Sequence, residues 1–188
     1  MFAYCNNSPI VHSDSTGLRM VAVQDLSSGP PALKYDVELF EQGDRSMCWA
    51  YCQVMDETYN KLGWGNQKWA DRRAKMIGIN VYGILNWNQG GWPINLGDPF
   101  EVADLGDIYY ALKDTGPFYA VYDNNLSGAK SRIHMVLVTG VDPQNNIVYT
   151  NNPWGMKGEQ SFDEFLNGVA WDEPNKLGMT FKQAYYAN

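Results

Sequence analysis

From Ser46 to about Lys61 the chain carries Met47, Cys48, Trp49, Ala50, Tyr51, Cys52, Val54, Met55 and Tyr59, with no Gly or Pro before Gly63. A segment of helical length that is apolar on nearly all sides predicts a buried helix, and Asp44 or Ser46 is placed to cap its start. Asn66 to Met76, rich in charge, predicts a second helix. A third begins at Asp98 or Asp104 and ends near Lys113, with Gly116-Pro117 as its stop. The period then changes. Phe118 to Tyr122, Ile133 to Val141 and Ile147 to Thr150 predict strands, the last two joined by a turn over Asp142 to Asn146. Upstream, Leu18 to Leu26 reads as a strand and Ala32 to Phe40 as a short extended stretch, while residues 1–17 read as a flexible entry. Asn80 to Pro99, rich in Gly, Asn and Trp, reads as loops with short elements. Helices followed by antiparallel strands predict an α+β fold in a single domain, helical over about 44–115 and β over about 117–188.

Composition narrows the partners. With 188 residues, 45% apolar, and seven Trp, twelve Tyr and seven Phe, the chain can build a real core. A formal net charge of −7 argues against nucleic acid, which needs concentrated Lys and Arg. No apolar run of about 18 residues indicates a membrane span. The N-terminal stretch lacks the basic start and apolar core of a secretory signal. That leaves a cytoplasmic protein, one exported by a route independent of such a signal, or an excised fragment. The three cysteines, Cys5, Cys48 and Cys52, leave at least one thiol free; arithmetic alone allows a Cys5–Cys52 bridge.

The candidate chemistry starts at Cys48. In the first turn of a helix, the dipole and the free N–H groups favour a thiolate over a thiol. Alone this does not outweigh a small core residue. Of the two histidines, His12 lies in the polar entry, whereas His134 sits inside the apolar strand Ile133 to Val138. If Val141 and Ile147 flank the turn, antiparallel pairing sets His134 opposite residues 153–154, with Asn152 one or two positions away. An amide there can hold one imidazole nitrogen and leave the other for the thiol. Asn151 is the alternative, disfavoured by strand alternation.

Gln42 followed six residues later by Cys48-Trp49-Ala50, the strand Ile133 to Gly140, and Asn152-Pro153-Trp154-Gly155 together resemble the papain-like cysteine peptidases. The resemblance covers residues 41–55 and 133–155 clearly and 116–122 loosely. It is closest to compact bacterial members of the secreted effector and bacteriocin-leader type. It implies Cys48 as nucleophile, His134 as base and Asn152 as its orienting residue. It also implies Gln42 in the oxyanion hole and Trp154 as the shield of the Asn–His pair. The chain departs from the family's plant and lysosomal enzymes in three ways. The interval from Cys48 to His134 is well below their roughly 130–150 residues, Ser46 and Met47 stand where a cysteine precedes the nucleophile, and Pro153 follows the asparagine. The implied activity is hydrolysis of a protein or peptide substrate, as an effector or toxin with a cognate inhibitor or immunity protein as a further partner. No cofactor is implied.

Other features carry less. A zinc site on Cys48, Cys52 and His134 fails on ligand count. Leu85, Trp87 and Trp92 flank Asn88-Gln89-Gly90-Gly91, a loop that either packs on the core or borders a substrate groove. Asp56-Glu57 and Asp163-Glu164 read as solvated helix charges, not as a glycosidase pair. Competing functions are a peptidoglycan amidase or transglutaminase-like acyl transfer, and a binding module on the same fold. The amidases usually place a second His where Asn152 stands.

Overall fold

Strand Phe118–Asp123 (β3) is buried at all six positions, as expected of an apolar run covered on both faces. It lies at the heart of a sheet that also contains Leu33–Lys34 (β1), Pro99–Phe100 (β2), Ile133–Asp142 (β4), Ile147–Asn152 (β5), Met156–Ser161 (β6) and Thr180–Tyr186 (β7). The computed structural model describes residues 29–43, 47–60, 65–79, 97–123, 133–167 and 179–187. Among these, the seven strands form one antiparallel sheet in the order β2-β7-β3-β4-β5-β6, with β1 paired to the end of β4. Four helices accompany it: Cys48–Tyr59 (α1), Gln67–Ile79 (α2), Leu105–Thr115 (α3) and Phe162–Asn167 (α4). The fold is α+β, and residues Pro31–Asn188 make one compact unit.

Strand alternation divides the core between the two faces of the sheet. Tyr119, Val121, Met135 and Leu137 pack with Trp49, Ala50, Cys52 and Met55 of α1 and with Ala70 and Ala74 of α2. Phe118, Ala120, Tyr122, Val136 and Val138 point the other way, toward Ile108 and Leu112 of α3 and Phe165 of α4. Each fully buried side chain of this size contributes roughly 1.5–3 kcal/mol. The Tyr122 hydroxyl, buried within this second layer, donates to the Phe165 carbonyl at 2.8 Å and ties α4 down.

Helix boundaries follow local chemistry. Asp104 caps α3 in a capping box with Asp107, and the helix stops at Gly116, whose φ of 85° suits glycine. Asn66 Oδ1 accepts the Trp69 N–H at 2.9 Å and starts α2. Asp44 and Ser46, expected to cap α1, lie outside the described residues. The N-cap is Met47, whose side chain makes no capping bond. In the β4–β5 turn, Asp142 Oδ1 accepts the N–H groups of Gln144 and Asn145, both at 3.1 Å. The extended stretch expected over Ala32 to Phe40 shortens to β1, because after the Tyr35 N–H meets the Thr139 carbonyl (2.8 Å) the chain leaves the sheet. It then buries Val37 and Phe40 in the core. The division into a helical and a β part is not strict, since β2 precedes α3 and α4 lies among the strands. The strand expected at Leu18 to Leu26, the flexible entry at 1–17, and nearly all of the loop over Asn80 to Pro99 lie outside the described residues.

Candidate active site

The β4–β5 register decides which side chains can meet. The strands pair Asp142 with Ile147 and Val141 with Val148, but beyond an irregularity at Thr139 they pair Val138 with Thr150 and Leu137 with Asn151. One extra residue on β4 is absorbed at that bulge. Without it, the register set at the turn would place His134 and Asn152 on opposite faces. With it, they share a face, and the register continues to set His134 opposite Trp154. Counting from Val141 and Ile147 therefore gives the right neighbours, although the paired ladder runs one residue closer to the turn.

Asn152, Trp154 and His134 form a locked group. His134 Nε2 and Asn152 Oδ1 are 2.8 Å apart, and the Trp154 N–H donates to the same oxygen at 3.0 Å. That backbone donor fixes which end of the amide is oxygen, so His134 Nε2 carries the proton and donates to it. Nδ1 is thereby the basic nitrogen. Turning the amide over would set Nδ2 against the Trp154 N–H, so the observed orientation holds even though Nδ2 is buried with no hydrogen-bond partner. Such an orphan costs about 1–3 kcal/mol. The Trp154 indole stacks on the imidazole, centroids 3.9 Å apart and planes 17° off parallel. The turn that brings Trp154 there is a three-residue hairpin loop, closed by the Gly155 N–H on the Asn152 carbonyl (3.0 Å). Gly155 takes the left-handed position at φ 92°. Asn151 pairs with Leu137, faces the other way and donates to the Val37 carbonyl at 3.0 Å. It is not the orienting residue.

Cys48 opens α1, and α1 packs on β4. Its thiol meets the histidine strand at Met135, the residue after His134, and backbone hydrogen bonds from Met135, Trp49 and Cys48 itself favour the thiolate. Burial outweighs them and holds the thiol above its ordinary range. This corrects the expectation of a lowered pKa: the helix start supplies donors, but desolvation is the larger effect. Burial likewise pushes His134 down to about 4, opposed by its bond to Asn152. The resting site therefore holds a neutral thiol and a neutral imidazole at neutral pH.

Gln42 is buried and sits beside the asparagine turn, its N–H donating to the Pro153 carbonyl at 2.7 Å. Its side chain bonds to no described residue, and its Oε1 is enclosed. Cys48, Gln42, His134 and Asn152 are all buried.

Cys52 lies one turn along α1 as a free, fully buried thiol that donates to the Met135 carbonyl at 3.4 Å. Asp56, another turn on, is not the solvated charge expected. It is buried, accepts from the Tyr119 hydroxyl (3.4 Å) and Asn60 Nδ2 (3.1 Å), and burial pushes its carboxyl up to about 6. Glu57 is paired with Arg73 at 2.7 Å. Asp163 and Glu164 are exposed at the start of α4, as expected. His12, Cys5, Leu85, Trp87 and Trp92 lie outside the described residues. One group escaped the sequence reading. Gln67, Asp71 and Tyr51 form a polar chain from the Gln42 segment to α1, and no motif or periodicity marks it.

The class defined here is an α+β protein whose sheet carries a shielded His–Asn pair in phase with Tyr122, Val136 and Val138, while the thiol at the start of α1 belongs to the layer of Met135 and Leu137 and meets the same strand at the Met135 backbone. No family model matches this chain, and neither does any curated protein or solved structure.

Proposed function

We propose that this protein is a papain-like cysteine peptidase that hydrolyses peptide bonds of a protein or peptide substrate through a thioester on Cys48. The observation that carries the reading is the His134–Asn152 bond, sealed by Trp154 and oriented so that Nε2 carries the proton and Nδ1 is the basic nitrogen. A structural histidine in a core has no need of an amide fixed at the expense of its own Nδ2.

In this reading the Cys48 proton passes to His134 Nδ1 as sulfur attacks the substrate carbonyl carbon. The Cys48 N–H and the Gln42 amide stabilise the oxyanion. The imidazolium returns its proton to the leaving amine as the C–N bond breaks. Water, deprotonated by His134, then cleaves the thioester and restores the thiol. A resting neutral pair suits this sequence, because the charges appear only during attack, inside a buried site where fixed donors act strongly. Asn152 in the orienting position also counts against the amidase alternative.

The test is cleavage of an unfolded protein substrate by wild type and Cys48→Ala. Turnover should be lost in the variant while its circular dichroism is unchanged, and iodoacetamide should label Cys48 before Cys52. Equal turnover in the two proteins, or first labelling at Cys52, would overturn the reading. Mapping new protein N-termini with the same pair of proteins would identify the substrate. Growth arrest on expression, lost in Cys48→Ala, would support a role as effector or toxin.

A further inference from the structure

We infer that Gln67 is a positioning residue: by clamping the Glu41 backbone it aims the Gln42 amide at the developing oxyanion. The inference rests on the cysteine-peptidase reading and concerns how one of its parts is held.

A side-chain amide serving an oxyanion must be fixed, because donor distance sets its worth. It must also keep its N–H groups uncommitted in the resting site. Fixation therefore has to come from the backbone that carries it. The Gln42 side chain bonds to no described residue, as this role requires. Its backbone is tied on both sides. Toward the asparagine turn, the Gln42 N–H donates to the Pro153 carbonyl at 2.7 Å. Toward α2, Gln67 Oε1 accepts the Glu41 N–H at 3.0 Å, and Gln67 Nε2 donates to the Glu41 carbonyl at 2.8 Å. The Gln67 amide thus copies a strand partner and satisfies both backbone groups of Glu41.

Gln67 is itself held from behind. Its Nε2 donates to Asp71 Oδ1 at 2.8 Å, and the same oxygen accepts the Tyr51 hydroxyl at 2.8 Å. Tyr51 is fully buried on α1, less than one turn after Cys48. The chain Tyr51–Asp71–Gln67–Glu41–Gln42 therefore runs from the helix that carries the nucleophile to the donor that serves it. Gly43 turns away at φ 57°, with nothing within 4 Å of the space a Cβ would fill.

The test compares Gln67→Met, which keeps side-chain length and helix propensity but removes both bonds to Glu41 and the one to Asp71, with Gln67→Glu. Removing an oxyanion donor costs about 100-fold or more in kcat, so Gln42→Ala sets the ceiling. Gln67→Met should lose roughly 3- to 30-fold in kcat with KM little changed, since misplacement reduces but does not delete the donor. The double variant with Gln42→Ala should be no slower than Gln42→Ala alone. Thermal midpoint and the rate of iodoacetamide alkylation of Cys48, which needs no oxyanion donor, should stay at wild-type values. In Gln67→Glu the protonated carboxyl regains one donor and one acceptor, so its kcat relative to wild type should rise toward acid pH, while the Gln67→Met ratio stays flat. Wild-type kcat in Gln67→Met overturns the inference. So does a parallel fall of kcat, alkylation rate and midpoint, which would mark a purely structural tie. If wild type itself cleaves nothing while Cys48 still alkylates, the peptidase reading falls and the inference with it.

Discussion

The two sides of the site are built by opposite means. On the histidine side, every orientation is forced: two donors converge on Asn152 Oδ1, an indole covers the ring, and a glycine-closed turn delivers both Asn152 and Trp154. On the cysteine side little is forced by side chains. Cys48 opens a helix whose N-cap, Met47, makes no side-chain capping bond, and backbone N–H groups of Met135, Trp49 and Cys48 itself meet the sulfur. The first arrangement holds a tautomer. The second keeps donors aimed at a sulfur and at whatever oxygen forms beside it. The contrast suits the proposed roles, since a base must present one nitrogen in one direction whereas a nucleophile must accept changing charge.

That contrast is open to measurement. The largest effect should come from His134→Ala, which is expected to lower kcat by about 10⁴-fold or more. It should change the alkylation rate of Cys48 by less than about tenfold, because burial and the backbone set the resting thiol. A parallel collapse of alkylation would mean the two sides are one charged unit. Next comes Asn152→Ala, expected to cost about 10²-fold in kcat/KM through loss of the tautomer. Trp154→Ala, which leaves the bond but admits water, should cost roughly tenfold in kcat/KM.

The smallest effect is on stability, where His134 and Asp56 oppose each other. The folded pKa of His134, about 4, lies below its ordinary 6.5. The unfolded chain thus binds its proton more readily, and stability falls as pH drops from 6.5 toward 4, by up to about 3 kcal/mol. Asp56 lies at about 6 against an ordinary 3.8, so its contribution is present at low pH and lost as pH rises through 6. The two slopes nearly cancel in wild type. Urea titrations should show Asp56→Asn losing stability on acidification and His134→Gln gaining it. Parallel slopes in the two variants would show that the pair does not govern the acid side.

The readable parts of the sequence were those where local pattern and burial agree. The apolar run of α1, the alternation of β4 and β5, and the cap and stop of α3 each declare themselves. The His134–Asn152 pair was legible because a short hairpin converts spacing into distance. The roles of Gln42 and Trp154 came only from resemblance. Strand β6, Met156–Ser161, is a polar sheet edge with only Gln160 buried, so it has no hydrophobic signature. β7 and α4 gain their burial from partners far along the chain. The same holds for Asp56, whose Tyr119 partner stands 63 residues away, and for Gln67, whose bonds to Glu41 span 26 residues and leave no trace in either segment.

The uncapped start of α1 has a consequence for engineering. A Ser or Asp at position 47 would add roughly 1 kcal/mol by accepting a first-turn N–H, and such caps are a standard route to thermostable variants. Here the added oxygen would compete for the same N–H groups that serve Cys48. On the proposed peptidase reading, Met47→Ser should therefore raise the melting temperature and lower turnover together, leaving this helix end as the place where durability and reactivity are exchanged.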